Sequence, residues 1–389
     1  MKISIDNFSN IYAFGDSLSD IGNLFALTTG QIPQFPYFEG RLSNGPVAVE
    51  YLVNRLNGTH SSLDLALSPS FLGGNNYALA GAGTGRNNSN DDDLTPEPLD
   101  LPGLLDQIDA YLEIDLASAN DLFFIWAGPN DFLDNLGGQN TDDPAVLVKA
   151  GVDNLRTAIE TLSAAGATQF VIPNLLNLGR LPASVAFCRE ARAIAIAFNG
   201  RLGLSLGNFE LDAANANLGV VEVDLFSVGE SVAENPARFG FTNITDPLLS
   251  SIGSDLALPN PPGFFFWDSF HPTTQAHALF GEVIFNTLTG DIPQPMFNDI
   301  LGTSGSDFLV GTRTADNLDG LAGHDFIFGL AGSDRIEGWQ GSDWLFGHHG
   351  NDTIDGGADQ DVVWSGPGDD LAFGGAGGTG YLATGEMTF

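Results

Sequence analysis

Ser17 follows an apolar run at residues 11–14, within FGDSLSD, and far along the chain Asp268 and His271 stand three residues apart in FFFWDSFHPTTQAH. A serine hydroxyl becomes a useful nucleophile when an imidazole removes its proton, and the imidazole works best when a carboxylate holds its other nitrogen. A carboxylate three residues before a histidine can turn back onto Nδ1–H, leaving Nε2 for the serine. Pro272 biases His271 toward an extended backbone, ahead of a helix expected to start at Pro272 or Thr273. Acyl transfer also needs donors aimed at an oxyanion. NYALAGAGT places Gly81 in a turn of small residues, where a backbone N–H can approach a substrate oxygen, and IWAGPNDF offers the Asn130 amide just past an apolar run. Taken singly, each of these segments is more often a structural turn, and a serine after a strand often does no more than cap a helix. A rival nucleophile, Ser205, lies in GLSLG. That G-x-S-x-G pattern needs a strand before it and a helix after it, whereas here it interrupts a helical stretch. Ser205 is therefore expected to be structural.

Elements far apart in the chain must bring these residues together. Residues 11–14, 122–127, 169–172 and 220–226 read as buried strands, while 142–165 and 187–214 carry apolar positions at helical period. A final helix is expected over 273–288. Strands separated by helices predict an α/β fold with a parallel sheet covered on both faces. Active sites in such sheets lie beyond the carboxyl ends of the strands. Ser17 is placed there, near the N-terminus of a helix whose dipole would favour developing negative charge. The stretches 22–44, 84–102 and 228–262 are too long for simple connections and predict the walls or lid of a cleft.

Composition narrows the function classes. With 49 acidic against 13 basic side chains, the formal charge is -36. Such a chain repels phosphate backbones, which excludes nucleic acid as a partner. It suits divalent cations and neutral substrates. The one cysteine, Cys188, rules out an intramolecular disulfide framework and is expected to be a buried apolar residue. No apolar window is long enough for a transmembrane segment, and the N-terminus lacks the apolar stretch of a signal peptide.

The blocks FGDSLSDIGN, GRLSNGP, NYALAGAGT, AGPNDF and FWDSFHPT, in that order over residues 11–277, closely resemble those of the GDSL esterase/lipase family, also called SGNH hydrolases. The resemblance implies a flavodoxin-like three-layer α/β/α sandwich. It also implies Ser17 as nucleophile and first oxyanion donor, Gly81 and Asn130 as the second and third, His271 as base and Asp268 as its orienter. The substrate would be an ester or lipid, and the catalysis would need no cofactor. The family shares one triad among esterases, phospholipases, carbohydrate deacetylases and acyltransferases. A different class, a calcium-dependent surface or binding protein with a degenerate hydrolase scaffold, is the alternative, which the intact site residues argue against.

Past a Pro-containing segment read as a linker over 291–301, the chain repeats every nine residues, as in GLAGHDFIF, GLAGSDRIE and GWQGSDWLF. The sixth position is Asp at Asp307, Asp316, Asp325, Asp334, Asp343, Asp352, Asp361 and Asp370. Six Gly-rich turn residues and a three-residue strand with one inward side chain predict a parallel β-roll over 302–389, two repeats to a coil. The aspartates then line two edges, and stacked carboxylates call for a hard cation held by carboxylate and carbonyl oxygens. Thr314 and Asp359 replace the fourth-position Gly, Ser365 a first-position Gly, and Thr379 stands where a ninth Asp would be. His348 and His349 occupy turn positions and are expected to face solvent. The pattern resembles RTX calcium-binding repeats. That resemblance implies structural Ca²⁺ at the eight aspartates, a bacterial source, and extracellular localisation through type I secretion machinery without an N-terminal signal peptide.

Overall fold

In the computed structural model, which describes residues 8–59, 63–90, 101–136, 143–211, 217–252, 263–289, 299–311, 316–330, 332, 334–348, 350, 352–368, 370–374 and 381–384, the first apolar run forms β1 (Asn10–Gly15). The helices α1 (Asn23–Leu27), α2 (Ala48–Thr59) and α3 (Leu104–Ile114) precede β2 (Asp121–Trp126). Every residue of β2 is buried, as a strand with helices on both faces requires. After it come α4 (Asn130–Leu136), α5 (Pro144–Ala164), β3 (Gln169–Pro173), α6 (Cys188–Leu211) and β4 (Gly219–Val223). Then α7 (Leu225–Glu234), α8 (Leu248–Ile252) and α9 (Thr274–Thr289) complete the first unit.

The four strands are parallel in the order β1-β2-β3-β4. On the free edge of β1 runs a further segment, whose Tyr77 N–H donates to the Ala13 carbonyl at 2.7 Å and whose Leu79 N–H donates to the Gly15 carbonyl at 3.0 Å. The chain therefore leaves β1 to one side and returns on the other for β2, which makes the carboxyl end of β1 a topological switch point. α2 packs on α9, while α5 packs on α3 and α6, giving the flavodoxin-like α/β/α layers. α5 shows how the sequence fixes such a layer. Asp143 caps it by accepting from the Ala145 N–H, Pro144 starts it, and Val148, Val152, Leu155, Ile159 and Leu162 form its buried stripe.

Several expectations need correcting. The strand read over 220–226 ends at Val223 because Asp224 accepts from the Ser227 N–H and starts α7. α2, α3 and α7 had no place in the reading, and α7 falls largely inside a stretch taken as connection. Cys188 is exposed, as the first residue of α6 rather than a core position. Residues 91–100 and 253–262 of the expected cleft walls lie outside the described residues.

The chain splits into two compact units, Met1–Asp291 and Ile292–Phe389. In the second, β5 (Asp299–Leu301), β7 (Asn317–Asp319), β9 (Arg335–Glu337), β11 (Thr353–Asp355) and β13 (Leu371–Phe373) make one parallel sheet. A second sheet contains β6 (Phe308–Val310), β8 (Phe326–Phe328), β10 (Trp344–Phe346), β12 (Val362–Gly366) and β14 (Tyr381–Thr384). Successive strands alternate between the sheets, so two repeats make one coil of a β-roll. β5 belongs to the segment expected as linker. Ile300 has the inward role of the repeat strands, and β5 pairs with β7, so the roll begins before Gly302. Leu309, Leu318, Ile327, Ile336, Leu345, Ile354 and Val363 stack as its core, with Ala372 packed against them. A Cβ on Gly341, at φ 122°, would overlap the Gly323 carbonyl of the preceding coil. Asp359, standing where Gly is usual, turns at φ 79° instead. His348 is half-buried, its ring stacked on those of Phe328 and Phe346, rather than free in solvent. Thr314, Thr379 and His349 lie outside the described residues.

Candidate functional site

β1 ends at Gly15, whose φ of 139° and closeness to the Trp126 carbonyl leave no room for a Cβ. The Gln107 side chain of α3 clamps this residue, accepting from its N–H at 2.9 Å and donating to its carbonyl at 2.8 Å. Ser17 follows in a turn closed by the Ser19 and Asp20 N–H groups on the Asp16 carbonyl. Helix α1 begins only at Asn23 and has five residues, so the expected helix dipole is not what Ser17 faces. Asp20 holds the turn instead. Its buried carboxylate accepts from the backbone N–H groups of Gly22, Asn23, Leu24 and Ala80.

His271 arrives from the loop before α9. Its Nε2 is 3.0 Å from Ser17 Oγ, and its Nδ1 is 2.9 and 2.8 Å from the two carboxylate oxygens of Asp268. Asp268 Oδ1 also accepts from the N–H groups of Phe270 and His271, each at 2.8 Å. Burial acts to raise the Asp268 carboxyl, but the His271 charge and these hydrogen bonds outweigh it and hold the group below its ordinary value. The GRLSNGP block braces the loop. Ser43 Oγ donates to the Pro272 carbonyl at 2.9 Å, and Asn44 Oδ1 accepts from the Thr274 N–H at 2.7 Å, supplying the first turn of α9 with a cap from afar.

The other two candidates meet at the next strand end. Asn130 opens α4 past β2, and its Nδ2 donates to the Ala82 carbonyl at 3.0 Å, so it reaches the loop of Gly81. Gly81 turns at φ 84°, where a Cβ would overlap Asn88 and Asn90. Among the described residues, no acceptor takes the backbone N–H of Ser17 or Gly81, which leaves both for a substrate oxygen. Thr84 ties the two loops together, its N–H and hydroxyl donating to Asp131 at 3.0 and 2.6 Å. Ser205 sits within α6, away from any strand end. His277 is buried in α9 against Phe280, and burial followed by the nearby His271 charge pushes it down to about 3. It is uncharged at neutral pH. His60 lies outside the described residues.

Sequence reasoning missed two kinds of residue. Tyr37 donates its hydroxyl to Asp268 Oδ2 at 2.9 Å and packs edge-on against Trp267. Its separation of 231 residues from Asp268 left no spacing signal to find. Replacing Tyr37 with Phe removes the donor that fixes Asp268 Oδ2, so the carboxylate aims the His271 ring less well and keeps more of its own charge. The expected outcome is a kcat lower by about tenfold, an unchanged KM, and an acid limb of the kcat/KM profile moved to higher pH. A loss of thermal stability with no movement of that limb would contradict it.

The second kind is buried acid. Asp16 is wholly buried, with Oδ1 on the Leu18 N–H and Oδ2 with no hydrogen-bond partner among the described residues. Burial pushes it up to about 7, against the Leu18 hydrogen bond and the His271 charge, with Asp131 adding to the rise. The folded chain thus binds this proton more tightly than the unfolded chain does. The associated stability is full below the ordinary value of 3.8 and is lost as pH rises toward about 7. Asp16→Asn is expected to flatten the fall in thermal midpoint across that window, and an unchanged slope would contradict the assignment.

The roll repeats a different pattern. Six repeat aspartates, Asp325, Asp334, Asp343, Asp352, Asp361 and Asp370, accept through Oδ1 from the backbone N–H of the aspartate one coil earlier, as in Asp307 N–H to Asp325 at 2.7 Å and Asp343 N–H to Asp361 at 3.0 Å. Among the described residues, the buried Oδ2 atoms of Asp325, Asp334, Asp343, Asp361 and Asp370 have no hydrogen-bond partner. A Cβ on Gly338 would lie 2.5 Å from Asp343 Oδ2 and 2.6 Å from the Gly356 carbonyl oxygen. A carboxylate and a carbonyl of the next coil therefore line the same small space. Burial pushes Asp334 up to about 8, the Asp316 N–H opposing and the Asp316 and Asp352 charges adding. Among the described residues no three His, Cys, Asp or Glu side chains converge, so a cation there needs carbonyl oxygens as well. The orphaned oxygens and the space beside the glycines fit Ca²⁺.

The profile of the GDSL-like lipase/acylhydrolase family matches residues 11–284. The chain belongs to that family. The RTX calcium-binding nonapeptide repeat matches five overlapping stretches between residues 301 and 378. Among curated relatives of this GDSL chain, a phosphatidylcholine-sterol acyltransferase of Aeromonas hydrophila is 28% identical, covering 71% of this chain and 88% of that protein. A GDSL esterase/lipase of Arabidopsis thaliana is 24% identical, covering 73% and 89%. Among solved structures, an acetylxylan esterase of Geobacillus stearothermophilus is 12% identical with a TM-score of 0.39, covering 74% of this chain and 96% of that one.

Proposed function

We propose that residues 1–290 are a serine esterase or lipase that hydrolyses carboxylic esters through an acyl-enzyme on Ser17, and that 302–389, with β5 leading in, form a calcium-folded roll. The observation that carries the reading is the hydrogen-bonded series Ser17 Oγ, His271 Nε2, His271 Nδ1 and Asp268. His271 takes the Ser17 proton as Oγ attacks the ester carbonyl, and Asp268 balances the imidazolium that results. The N–H groups of Ser17 and Gly81 and the Asn130 amide stabilise the oxyanion. As the tetrahedral intermediate collapses, the carbon–oxygen bond to the alcohol breaks and His271 returns its proton to the leaving oxygen. Water then attacks the acyl-enzyme, His271 accepting its proton and passing it to Ser17 as the acid departs.

A series of p-nitrophenyl esters of rising acyl length tests the reading. Burst release of nitrophenol followed by steady turnover is expected, and no turnover of any member would refute it. Asn130→Ala is expected to lower kcat by on the order of 10²–10³ with KM little changed. A wild-type kcat with a raised KM would make Asn130 a substrate-binding residue instead. The Aeromonas relative, named an acyltransferase, favours a second reading in which an alcohol replaces water at the acyl-enzyme. Ester formation from an added alcohol at the expense of free acid would establish it.

In the roll, the eight repeat aspartates from Asp307 to Asp370 would hold Ca²⁺, which supplies the positive charge that the stacked carboxylates lack. The RTX match supports export as a type I secretion substrate to the extracellular space. Among the described residues no helix is long and apolar enough to cross a membrane.

A further inference from the structure

The outward side chains of the roll differ between its two sheets. On the sheet of β6, β8, β10 and β12 the first and third strand positions are Phe308, Phe326, Phe328, Trp344, Phe346, Trp364 and two valines, with no charge among them; Phe346 is buried and Phe328 and Trp364 are half-buried, which leaves the first-position rings as the exposed row. The other sheet presents Asp319, Arg335, Glu337 and Asp355 at the equivalent positions, with apolar residues only on its two end strands, Leu301 on β5 and Leu371 and Phe373 on β13. Phe308, Phe326 and Trp344 keep 45%, 41% and 45% of their surface exposed. An uncharged aromatic face recurring every coil, on a chain of net charge -36, needs a reason beyond folding, because the inward aliphatic stack already forms the core.

The ring geometry selects the occupant. Phe308 and Phe326 are stacked at 6.5 Å and 24°, Phe326 and Trp344 at 5.6 Å and 17°, and Phe328 and Phe346 at 4.7 Å and 5°. The rings therefore spend their faces on one another along the ladder. Sugars and bases stack on free ring faces, so this ladder is ill suited to a polysaccharide or a nucleic acid. Stacked rings standing side by side offer apolar edges that can enter hydrocarbon, as Trp and Phe do at a bilayer interface. The absence of charge on the face, together with the strongly negative chain, favours an electrically neutral surface. The same charge sets two copies against each other. We propose that this aromatic face docks the folded roll onto a zwitterionic lipid surface.

The inference goes beyond the proposed esterase and is tested without it. Full-length protein in calcium is floated with vesicles of ether-linked phosphatidylcholine, which hold no ester to cleave. Wild-type protein is expected to float with the vesicles. Phe326→Ser combined with Trp344→Ser is expected to weaken partitioning at least tenfold, roughly the effect of removing two such rings from hydrocarbon. Leu371→Ser with Phe373→Ser, at positions 54% and 48% exposed on the other sheet, is expected to float as wild type does. Circular dichroism in calcium checks that each variant folds. Should the first pair not fold, Trp344→Ser alone serves, with a several-fold loss expected. Failure of the wild type to float, or equal flotation of the Phe326 and Trp344 variant, would overturn the proposal. So would flotation that the variant keeps and that grows with added phosphatidylserine, a sign of calcium bridging. A calcium-dependent dimer, or binding to insoluble polysaccharide, that the variant loses without losing flotation would assign the face to that partner instead.

Discussion

Ser17→Ala is expected to abolish ester hydrolysis, by about 10⁶-fold in kcat if the triad acts as a unit, while Ser205→Ala stays near wild type. The contrast follows from backbone as much as side chain. Ser17 sits where β1 gives way to a turn fixed by Gly15, Gln107 and Asp20, within 3.0 Å of a histidine whose far nitrogen is held. Ser205 lies in the run of α6, from Cys188 to Leu211, with no strand end to present it. Both variants should retain the wild-type thermal midpoint, because neither hydroxyl supports the core. Steady-state kinetics on one p-nitrophenyl ester suffices. An inactive Ser205 variant beside an active Ser17 variant would reverse the assignment.

Chelation of calcium is expected to unfold the roll and leave the esterase working. Each coil of the roll buries two aliphatic side chains, such as Ile327 and Ile336, too few to offset the conformational entropy of ordering its Gly-rich turns. The buried Asp Oδ2 atoms add an electrostatic penalty that a bound cation removes. Circular dichroism of the full chain should gain β-structure as calcium rises through roughly 10⁻⁴–10⁻³ M, and residues of the roll should become resistant to protease. Spectra that do not change with calcium would refute the ion assignment. The first unit has its own sheet and helices, so complete loss of activity in chelator would refute its independence.

The sequence disclosed the site better than the fold around it. Four buried strands were legible as short apolar runs, and the helices α5, α6 and α9 as longer stretches with apolar residues at helical spacing. The edge segment hydrogen-bonded to β1 was not, since Asn75 and Asn76 enter it and its pairing is made by tertiary contact. Ser17, Asp268 and His271 were legible as blocks, and the structure sets them within hydrogen-bonding distance. Tyr37 and Asn44 were not legible in their roles, because each acts on a residue more than 220 positions away and side-chain type alone does not specify such a partner. Cys188 was misread for a related reason: a small apolar residue at a helix start has no periodic position to bury it. In the roll, the nine-residue phase exposed coil, core and aspartates together, because each coil repeats the same contacts with the next.

Covalent trapping at the serine tests the central claim most directly. Full-length protein treated with a phosphonofluoridate should lose activity in proportion to the incorporation of one phosphonyl group, and peptide mass mapping should place that group on Ser17. His271→Ala should slow the labelling sharply, since Oγ then has no base. Label on Ser205 or another residue, or inactivation that leaves Ser17 unmodified, would contradict the account.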